Sequence, residues 1–288
     1  HAYVTMAPDY IESLWWIIKQ ISEKKIDGQS LLYQDYKILP WCPRCGTALS
    51  SHELAQGYRE VKDTALFVKF KVKTGQKIGE WVSTDRTYFV AWTTTPWTLP
   101  GNVALAIGEK IEYVLQQVGD EFLIVSQKWA NLAPLKKQIP TSQLLELEYE
   151  SLYPYLADNL PTTEKEKLPK AFKVYAAPFV STEEGTGIVH AAVMYGQDDF
   201  ELGAKVGLPK YHLVATDGTF ITGTPWAGKF VKDVDQEIIA DLAARGLLFK
   251  KEKYEHIYPH CWRCGTPLIY YARDSWYLRM SALRGTLL

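Results

Sequence analysis

Apolar residues recur at helical spacing in two stretches of the chain. In residues 8–25 the recurring positions are Ile11, Leu14, Trp15, Ile18 and Ile21. This spacing places the side chains on one face of a helix. A second stretch covers residues 229–245 and stops before Gly246, which suits the end of a helix. A shorter helix is predicted from Asp198 to Val206.

Between these helices the apolar pattern changes to a period of two, which is typical of strands. The predicted strands are Ala65–Val72, Thr87–Thr95, Glu112–Val118, Glu121–Ser126, Phe172–Ala177 and Thr186–Ala191. Gly119-Asp120 predicts a tight hairpin turn between two of them. Because strands dominate the centre, the pattern predicts an α+β fold with a mixed β-barrel-like core and flanking helices, not a doubly wound parallel sheet.

The composition leaves the partner open. The chain has 288 residues, 47% of them hydrophobic, which is enough for one large domain or a domain with an appendage. Its 32 basic and 33 acidic residues balance, so no global positive field attracts nucleic acid. An RNA partner would need local patches, and the alternative reading is an ordinary solvated face. The candidate lysines are Lys69, Lys71 and Lys73, and Lys165, Lys167, Lys170 and Lys173.

The sequence favours a cytoplasmic protein without a membrane partner. No apolar run approaches the roughly 20 residues that span a bilayer. The first residues lack the basic and apolar regions of a secretory signal. The cysteine count is four, which is too few for a secreted disulfide scaffold of this length. The chain does not begin with Met, and we expect it to be a fragment.

The cysteines form two similar Cys-x-x-Cys-Gly knuckles. Residues 41–49 and 260–268 are identical at six of nine positions. Two such half-sites predict one tetrahedral zinc site, whose ligands are Cys42, Cys45, Cys261 and Cys264. Four thiolates leave no open coordination position, so the zinc is expected to be structural. It would form a zinc-ribbon base that joins the two chain ends.

Other uses of the cysteines remain open at this point. They could form a redox dithiol, although a thioredoxin-like motif occurs once, beside a βαβ pattern. They could form two disulfides. They could bind two separate metals, with His256 and His260 completing a second site beside Cys261 and Cys264.

A second group of polar residues follows a predicted strand. Gly185-Thr186-Gly187 leads into a strand that carries His190 near its end, and Asp198 and Asp199 follow. This arrangement predicts a pocket with a polar wall. The alternative is a strand-end histidine and two carboxylates that cap a helix. The chain has no Gly-x-Ser-x-Gly elbow and no phosphate-binding loop, so no covalent nucleophile is indicated.

Residues 91–102 carry the strongest motif. The run Ala-Trp-Thr-Thr-Thr-Pro-Trp-Thr-Leu-Pro-Gly-Asn resembles the threonine-rich segment of the editing domain, called CP1, that is inserted in isoleucyl-tRNA synthetases of class I. The valyl and leucyl enzymes carry Thr-Thr-Arg-Pro, whereas this chain carries Thr-Thr-Thr-Pro. Further matching segments occur in the family's order, at residues 8–13, 185–190, 196–199 and 267–271 and at both knuckles. The chain departs from the family at Val193, where Pro is usual, and has extra residues at about 26–32.

The resemblance implies hydrolytic proofreading of valine mischarged on tRNA(Ile), with valyl-adenylate as a second candidate substrate. The partners would be the 3′ acceptor end of the tRNA and the rest of the parent synthetase. Since the His-Ile-Gly-His and Lys-Met-Ser-Lys-Ser motifs are absent, no aminoacylation is expected. The alternative is a zinc-ribbon module that binds the acceptor end without turnover.

The resemblance also assigns roles to residues. Asp199 would bind the substrate's α-ammonium group, and the threonine run would orient the ester, the water and the terminal adenosine. Trp97 and His190 would shape the side-chain pocket, with His190 as the steric gate, and Asn102 would lie at its edge. The threonines are Thr93, Thr94 and Thr95. No general base is assigned, although His190 is of a residue type that often acts as one.

These motifs divide the chain into three expected parts. Residues 1–60 hold the N-terminal helix and the first knuckle. Residues 61–250 form the editing core. Residues 251–288 hold the second knuckle and the returning segment.

Overall fold

The computed structural model describes residues 3–130 and 136–287. The chain divides into two compact units, one of His1–Lys37 with Ala272–Leu288 and the other of Ile38–Tyr271. These units follow compactness, whereas the three parts expected from the sequence follow its motifs. That three-part division stays a prediction, and its residues 1, 2, 131–135 and 288 lie outside the described residues.

The elements alternate between strands and short helices along the chain. The helices are α1 (Pro8–Glu23), α2 (Ser51–Ala55), α3 (Tyr155–Asn159), α4 (Thr162–Lys165), α5 (Gln197–Val206), α6 (Val231–Ala244) and α7 (Arg284–Leu287). The strands are β1 (Lys25–Ile26), β2 (Gln29–Ser30), β3 (Leu32–Cys42), β4 (Thr47–Ala48), β5 (Tyr58–Lys71), β6 (Lys77–Ile78), β7 (Trp81–Val82), β8 (Thr87–Thr93), β9 (Ala104–Ile107), β10 (Tyr113–Val118), β11 (Glu121–Ser126), β12 (Lys136–Ile139), β13 (Lys173–Ala176), β14 (Ile188–Ala191), β15 (Leu248–Pro259) and β16 (Ile269–Leu278). A 3₁₀ helix covers Pro96–Gly101.

The first unit contains α1 and the β1–β2 hairpin. The predicted helix is confirmed, but it ends at Glu23 instead of residue 25 because Lys24 is extended and leads into β1. Asp27 and Gly28 both have positive φ, at 50° and 77°. These angles suit the tight turn of a two-residue hairpin. Among the described residues, no helix is long and apolar enough to cross a membrane.

The larger sheet lies in the second unit. Its strand order is β12-β10-β11-β8-β5-β15. Neighbouring strands are antiparallel except β8 and β11, which pair in parallel, so the sheet is mixed. The predicted β10–β11 hairpin is confirmed, with Gly119 in the left-handed region. Buried side chains from several strands form one apolar cluster, namely Phe67, Val90, Val114, Leu123, Val125 and Ala130.

A smaller sheet carries His190, one of the predicted site residues. Its order is β13-β9-β14, with β9 parallel to β13 and antiparallel to β14. All four residues of β9 are buried, as expected for a central strand that is covered on both faces. His190 on β14 pairs with Leu105 on β9, which places the histidine at a fixed position in the register.

The mixed α+β class is confirmed, but the strand pairings of the described residues form no closed barrel. The larger sheet has β12 and β15 at its edges, and β9 pairs in a separate sheet. Alternation in the sequence shows that a strand has one buried face. It does not show whether the first and last strands of a sheet pair, so closure could not be derived from it.

The helix α6 packs against the 3₁₀ helix and β15. The predicted apolar face is confirmed, since Val231, Val234, Ile238 and Leu242 are all buried. The helix ends at Ala244, and Gly246 takes the left-handed conformation that commonly terminates a helix.

Candidate functional site

The threonine-rich motif forms a buried turn, which we call the threonine turn and define as Thr93–Gly101. Strand β8 ends at Thr93, and the 3₁₀ helix begins at Pro96. The ring of Pro96 fixes a φ near −65°, which suits the first position of a helical turn. Every residue from Pro96 to Gly101 is buried. The segment is therefore enclosed by the rest of the fold, and Thr98 contacts His190 on β14.

Hydroxyl groups connect the threonine turn to β14. The backbone N–H of Thr95 donates to Oγ1 of Thr93 at 3.1 Å. The Oγ1 atoms of Thr95 and Thr98 are 3.3 Å apart, and the Thr98 hydroxyl donates to the carbonyl oxygen of Thr95 at 2.8 Å. Oγ1 of Thr98 also lies 3.0 Å from Nε2 of His190. Three of these groups thus form a continuous chain, Thr95–Thr98–His190.

His190, the last member of this hydrogen-bonded series, is neutral near pH 7. Burial lowers the pKa of His190 to about 4. Since the single proton of the Thr98 hydroxyl serves the carbonyl of Thr95, we assign Nε2 of His190 as the donor in its contact with Thr98. Its other ring nitrogen, Nδ1, is then an acceptor, and it is buried without a hydrogen-bond partner among the described residues. A group with so low a pKa is a weak general base at neutral pH.

Asp199 lies in the first turn of α5, and its carboxylate reaches back to the end of β14. The N–H of Ala192 donates to Oδ2 of Asp199 at 3.0 Å. A Cβ atom at Gly196 would lie 2.8 Å from the same oxygen, so a side chain there would displace the carboxylate. Burial raises the pKa of Asp199 to about 6, against the lowering effect of the Ala192 hydrogen bond. Asp199 is therefore mainly ionised at neutral pH and bears a negative charge in a partly buried place.

Trp97 forms the apolar part of the site. Its ring is buried and meets the ring of Tyr195 edge-on, with centroids 5.1 Å apart. Tyr195 is held in turn, because its hydroxyl oxygen accepts the N–H groups of Leu213 and Val214. The indole Nε1 of Trp97 is buried without a partner among the described residues. Unpaired buried polar atoms are rare in folded proteins and often face a bound ligand or water.

Two predicted site residues, Asn102 and Thr94, are not among the side chains that connect the threonine turn to β14. The amide of Asn102 is buried and used in the fold: Nδ2 donates to the carbonyl of Ala104, and Oδ1 accepts the hydroxyl of Tyr149 at 2.6 Å. Thr94 borders a cavity of about 330 Å³, together with Pro96 and residues of α6. The structure thus brings Thr93, Thr95, Trp97 and His190 into one connected turn-and-strand unit, with Asp199 at the strand's end. The predicted roles of Asn102 and Thr94 stay predictions.

Sequence reasoning missed Thr98 and Asp235. Oδ1 of Asp235 accepts the backbone N–H of Trp97 at 3.1 Å. Both residues had a signal in the sequence. Thr98 follows Thr95 by three positions, which is the spacing of one 3₁₀ turn. Asp235 follows Val231 by four positions, so it is a carboxylate on the apolar face of α6.

Val193, where the chain departs from the family, is buried against α5. Its Cγ1 would lie 2.5 Å from a Cβ atom at Gly203, so the glycine allows the close approach. The side chain of Val193 fills space between the end of β14 and α5, the helix that carries Asp199.

The four cysteines meet at a second place in the same unit. Their sulfur atoms all lie within 4.8 Å of one another. Sγ of Cys42 is 3.5 Å from Sγ of Cys264, and Sγ of Cys45 is 4.0 Å from Sγ of Cys261. Ligands at about 2.3 Å from one tetrahedral zinc ion would be about 3.8 Å apart. The donor set and its spacing therefore fit one metal ion.

The two knuckles have matching backbones. In each, the N–H of the glycine donates to the carbonyl of the first cysteine, at 2.9 Å for Gly46 and 2.8 Å for Gly265. Both glycines have positive φ, which the tight turn requires. The N–H of Leu49 donates to Pro40, and that of Leu268 donates to Pro259, at equivalent positions of the repeat.

The structure favours a single metal group over the other uses of the cysteines. All four cysteines are free thiols in the structure. The cluster contains neither histidine. His256 Nε2 lies 3.0 Å from the carboxylate of Asp63, and His260 Nδ1 lies 3.0 Å from the carbonyl of Tyr258.

The candidate lysine patches are largely neutralised by carboxylates. The ion pairs are Lys69 with Glu121, Lys71 with Glu150, Lys73 with Glu148, Lys167 with Glu164, and Lys173 with Glu146 and Glu148. Nζ of Lys170 donates to the carbonyl of Val206. Paired lysines attract phosphate weakly, so these two patches are poor sites for RNA.

Comparisons with known proteins agree on one family. The model of the family described as tRNA synthetases class I (I, L, M and V) matches residues 1–288. The isoleucine–tRNA ligase of Clostridium tetani is 47% identical over 292 residues, and that of Thermus thermophilus is 41% identical over 293 residues. These alignments cover 99% and 100% of this chain. The chain spans 26% of the length of each of these relatives.

Solved structures give a more distant likeness. The crystal structure of GlLeuRS-CP1 has a TM-score of 0.49 and 16% identity, and covers 65% of this chain and 99% of that one. The P. knowlesi cytosolic leucyl-tRNA synthetase editing domain has a TM-score of 0.47 and 10% identity, and covers 70% and 99%.

Proposed function

We propose, from the premise that this chain belongs to the class I tRNA synthetases (I, L, M and V), that it hydrolyses the ester of valine mischarged on tRNA(Ile). In this proposal the chain is the editing domain of an isoleucyl enzyme and acts on the 3′ acceptor end of the tRNA. Valyl-adenylate is a second candidate substrate. Aminoacylation would require the rest of the parent synthetase, which would also supply further tRNA contacts, and the proposed location is the cytoplasm.

One observation carries the proposal: the hydrogen-bonded chain Thr95–Thr98–His190 beside an ionised carboxylate. The carboxylate is that of Asp199, which uses Oδ2 for the Ala192 N–H. Its Oδ1 has no hydrogen-bond partner among the described residues. A carboxylate with one unused oxygen, in a partly buried place, suits the α-ammonium group that every aminoacyl ester carries. The neighbouring hydroxyls suit a polar ester and a water molecule.

The reaction needs one water molecule and no covalent intermediate. The water oxygen attacks the ester carbonyl carbon, and the bond from that carbon to the ribose oxygen then breaks. The ribose oxygen takes a proton, and valine leaves as the free amino acid. In this proposal Thr93, Thr94 and Thr95 orient the ester and the water, and no residue is assigned as the general base.

The pocket wall is proposed to exclude isoleucine. One missing methylene is worth about 1–3 kcal/mol in an apolar pocket, a magnitude for which isoleucyl-tRNA synthetase is itself the standard example. A second pocket that admits valine and excludes isoleucine adds discrimination that one binding step cannot supply. His190 and Trp97 are buried and rigidly held, so they suit this steric role. Asn102 supports the pocket edge through the end of the threonine turn.

The cysteine cluster is proposed to bind one zinc ion through Cys42, Cys45, Cys261 and Cys264. Such an ion would hold the two knuckles together and would take no part in the hydrolysis, because four thiolates fill its coordination shell. The support is the single group of four free thiols at metal-binding spacing.

The test is the release of valine from Val-tRNA(Ile) by the purified chain, with Ile-tRNA(Ile) as the control substrate. We expect rapid loss of valine and little loss of isoleucine. Asp199→Asn keeps an oxygen for the Ala192 N–H but removes the charge, and we expect it to reduce deacylation about 100-fold. Asp198→Asn, at the adjacent exposed carboxylate, is the matched control and should retain the parent rate.

Other outcomes separate the alternatives. Saturable tRNA binding without release of either amino acid would contradict the hydrolase and favour the binding module. Equal release of valine and isoleucine would contradict the steric gate. An Asp199→Asn variant as active as the parent would remove Asp199 from the site.

A further inference from the structure

Asp235 joins a distant helix to the threonine turn. It lies on the apolar face of α6, whose neighbouring residues Val231, Val234 and Ile238 are buried. Its Oδ1 accepts the backbone N–H of Trp97 at 3.1 Å, a contact across 138 residues of sequence. Among the described residues, Asp235 is the residue of α6 that is hydrogen-bonded to the threonine turn.

The backbone N–H of Trp97, which donates to Asp235, is the first N–H group of the 3₁₀ helix. Pro96 has no N–H, and the N–H of Thr98 donates to the carbonyl of Thr95 at 3.0 Å. The N–H of Trp97 has no acceptor within its own helix, as is usual for the first donors of a helix. Because Trp97 is buried, leaving this donor unpaired would be costly. Asp235 supplies the missing acceptor from outside the turn.

The donor is adjacent to the residues that form the site. The next residue, Thr98, makes the 3.0 Å contact with Nε2 of His190, and the ring of Trp97 itself packs on Tyr195. The turn is therefore held by His190 on β14 and by Asp235 on α6. If the contact with α6 were lost, the hydroxyl of Thr98 would lose part of what fixes its position.

We propose that Asp235 is a positioning residue of the candidate site: by binding the N–H of Trp97 it sets where the hydroxyls of Thr95 and Thr98 lie against His190. This inference rests on the proposed hydrolase function for its kinetic consequences, but the contact with Trp97 does not. Asp235 also borders the cavity lined by Thr94 and Pro96, and burial raises its pKa to about 7. A direct role as a proton acceptor is thus the rival explanation, and the variants below distinguish the two.

The kinetic test compares three variants on Val-tRNA(Ile). Asp235→Ala removes the acceptor, and we expect kcat to fall about 10- to 100-fold with KM changed less than about threefold. Asp235→Asn keeps an uncharged oxygen that accepts the same N–H, and we expect kcat within about threefold of the parent. Asp233→Asn changes an exposed carboxylate two residues away on α6 and serves as the control, which should match the parent.

A second measurement does not depend on activity. Amide hydrogen exchange of Trp97, followed by NMR in the intact chain, reports on the N–H group directly. We expect Asp235→Ala to speed this exchange at least about tenfold and Asp235→Asn to change it less than about threefold. If the parent chain proved inactive, the proposed function would fail, whereas the exchange measurement would still decide whether Asp235 holds the turn.

Two results would overturn the proposal. If Asp235→Asn lost as much kcat as Asp235→Ala, the charge or proton of Asp235 would be required, and a positioning role would not explain it. If Asp235→Ala left the exchange of the Trp97 amide unchanged, the contact would not fix the turn.

Discussion

The cysteine cluster and the threonine-turn site are both assembled from segments far apart in the sequence, but they are built differently. The cluster joins four identical side chains from two copies of one motif, and its sulfur atoms lie within 4.8 Å of one another. The other site joins different side chains through hydroxyl, imidazole and backbone groups. For the cysteine cluster, residue type and spacing in the sequence already indicate a metal ion as the partner. In the second case the chemistry depends on neighbours that have no motif of their own.

Burial shifts the pKa values of His190 and Asp199 in opposite directions. It lowers the pKa of His190 to about 4 and raises that of Asp199 to about 6, because it disfavours the charged form of each. At neutral pH Asp199 is nevertheless mainly negatively charged, whereas His190 carries no positive charge. A site with this charge pattern suits a cationic substrate group, which is why Asp199 is the decisive residue of the proposal.

The largest expected effect lies at the cysteine cluster. Cys42→Ser removes one of four thiolates, and we expect the bound zinc to fall from one equivalent per chain to none. Since metal binding contributes to folding free energy, the thermal midpoint should fall by roughly 10 °C or more. Elemental analysis and thermal unfolding of the parent and the variant measure both effects.

His260→Gln is the control for this prediction. The histidine is adjacent to Cys261 but contacts a backbone carbonyl, so the variant should keep one equivalent of zinc. Loss of zinc in His260→Gln would restore the reading with a histidine ligand. Full zinc content in Cys42→Ser would contradict the four-cysteine site.

The secondary structure followed from the sequence wherever periodicity was strong. The helix α6 and the hairpin β10–β11 lie within a few residues of their predicted bounds. Barrel closure did not follow, because pairing between sheet edges leaves no trace in one strand's alternation. The end of α1 also differs from the predicted residue 25, because Lys24 is extended and leads into the β1–β2 hairpin.

The candidate site followed from the sequence only in part. The cysteines were predicted as one set, and the geometry agrees. The roles of the threonine run, His190 and Asp199 came from resemblance to a family, and the structure adds that Thr98 connects two of these segments. Asp235 was absent from the prediction because its partner is a backbone N–H. Any residue except proline carries such a group, so nothing in the sequence pairs Asp235 with Trp97.

A smaller effect is expected at the connection between the threonine turn and β14. Thr98→Val removes the hydroxyl that contacts both His190 and Thr95 while nearly keeping the shape of the side chain. We expect a loss of about 1–2 kcal/mol in unfolding free energy, because Nε2 of His190 becomes a buried unpaired donor. Deacylation of Val-tRNA should fall about tenfold, and release from Ile-tRNA should rise as His190 loses its fixed position. Denaturant unfolding and deacylation assays measure these changes, and Thr74→Val, at an exposed position after β5, is the control. Unchanged selectivity in Thr98→Val would show that the gate does not depend on this connection.

The smallest effect concerns the stability cost of the charge on Asp199. The pKa of this carboxyl is about 6 in the folded chain, above the ordinary value near 4, so the folded state holds the proton more tightly than the unfolded state does. The contribution to stability is present when Asp199 is protonated and is lost as the pH rises from about 4 through about 6. Asp199→Asn has no such titration. Its unfolding free energy relative to the parent should therefore increase by about 1 kcal/mol over this window, after allowance for partial exposure, and level off above it.

Thermal unfolding at pH 4.5 and pH 7.5 measures this difference, with Asp198→Asn as the variant that should show no such trend. A relative stability of Asp199→Asn that stayed constant with pH would mean that the folded structure does not disfavour the charge. In the expected case, the carboxylate whose charge the hydrolysis needs is also one whose charge lowers stability above about pH 6, as is common where a buried charge serves a substrate.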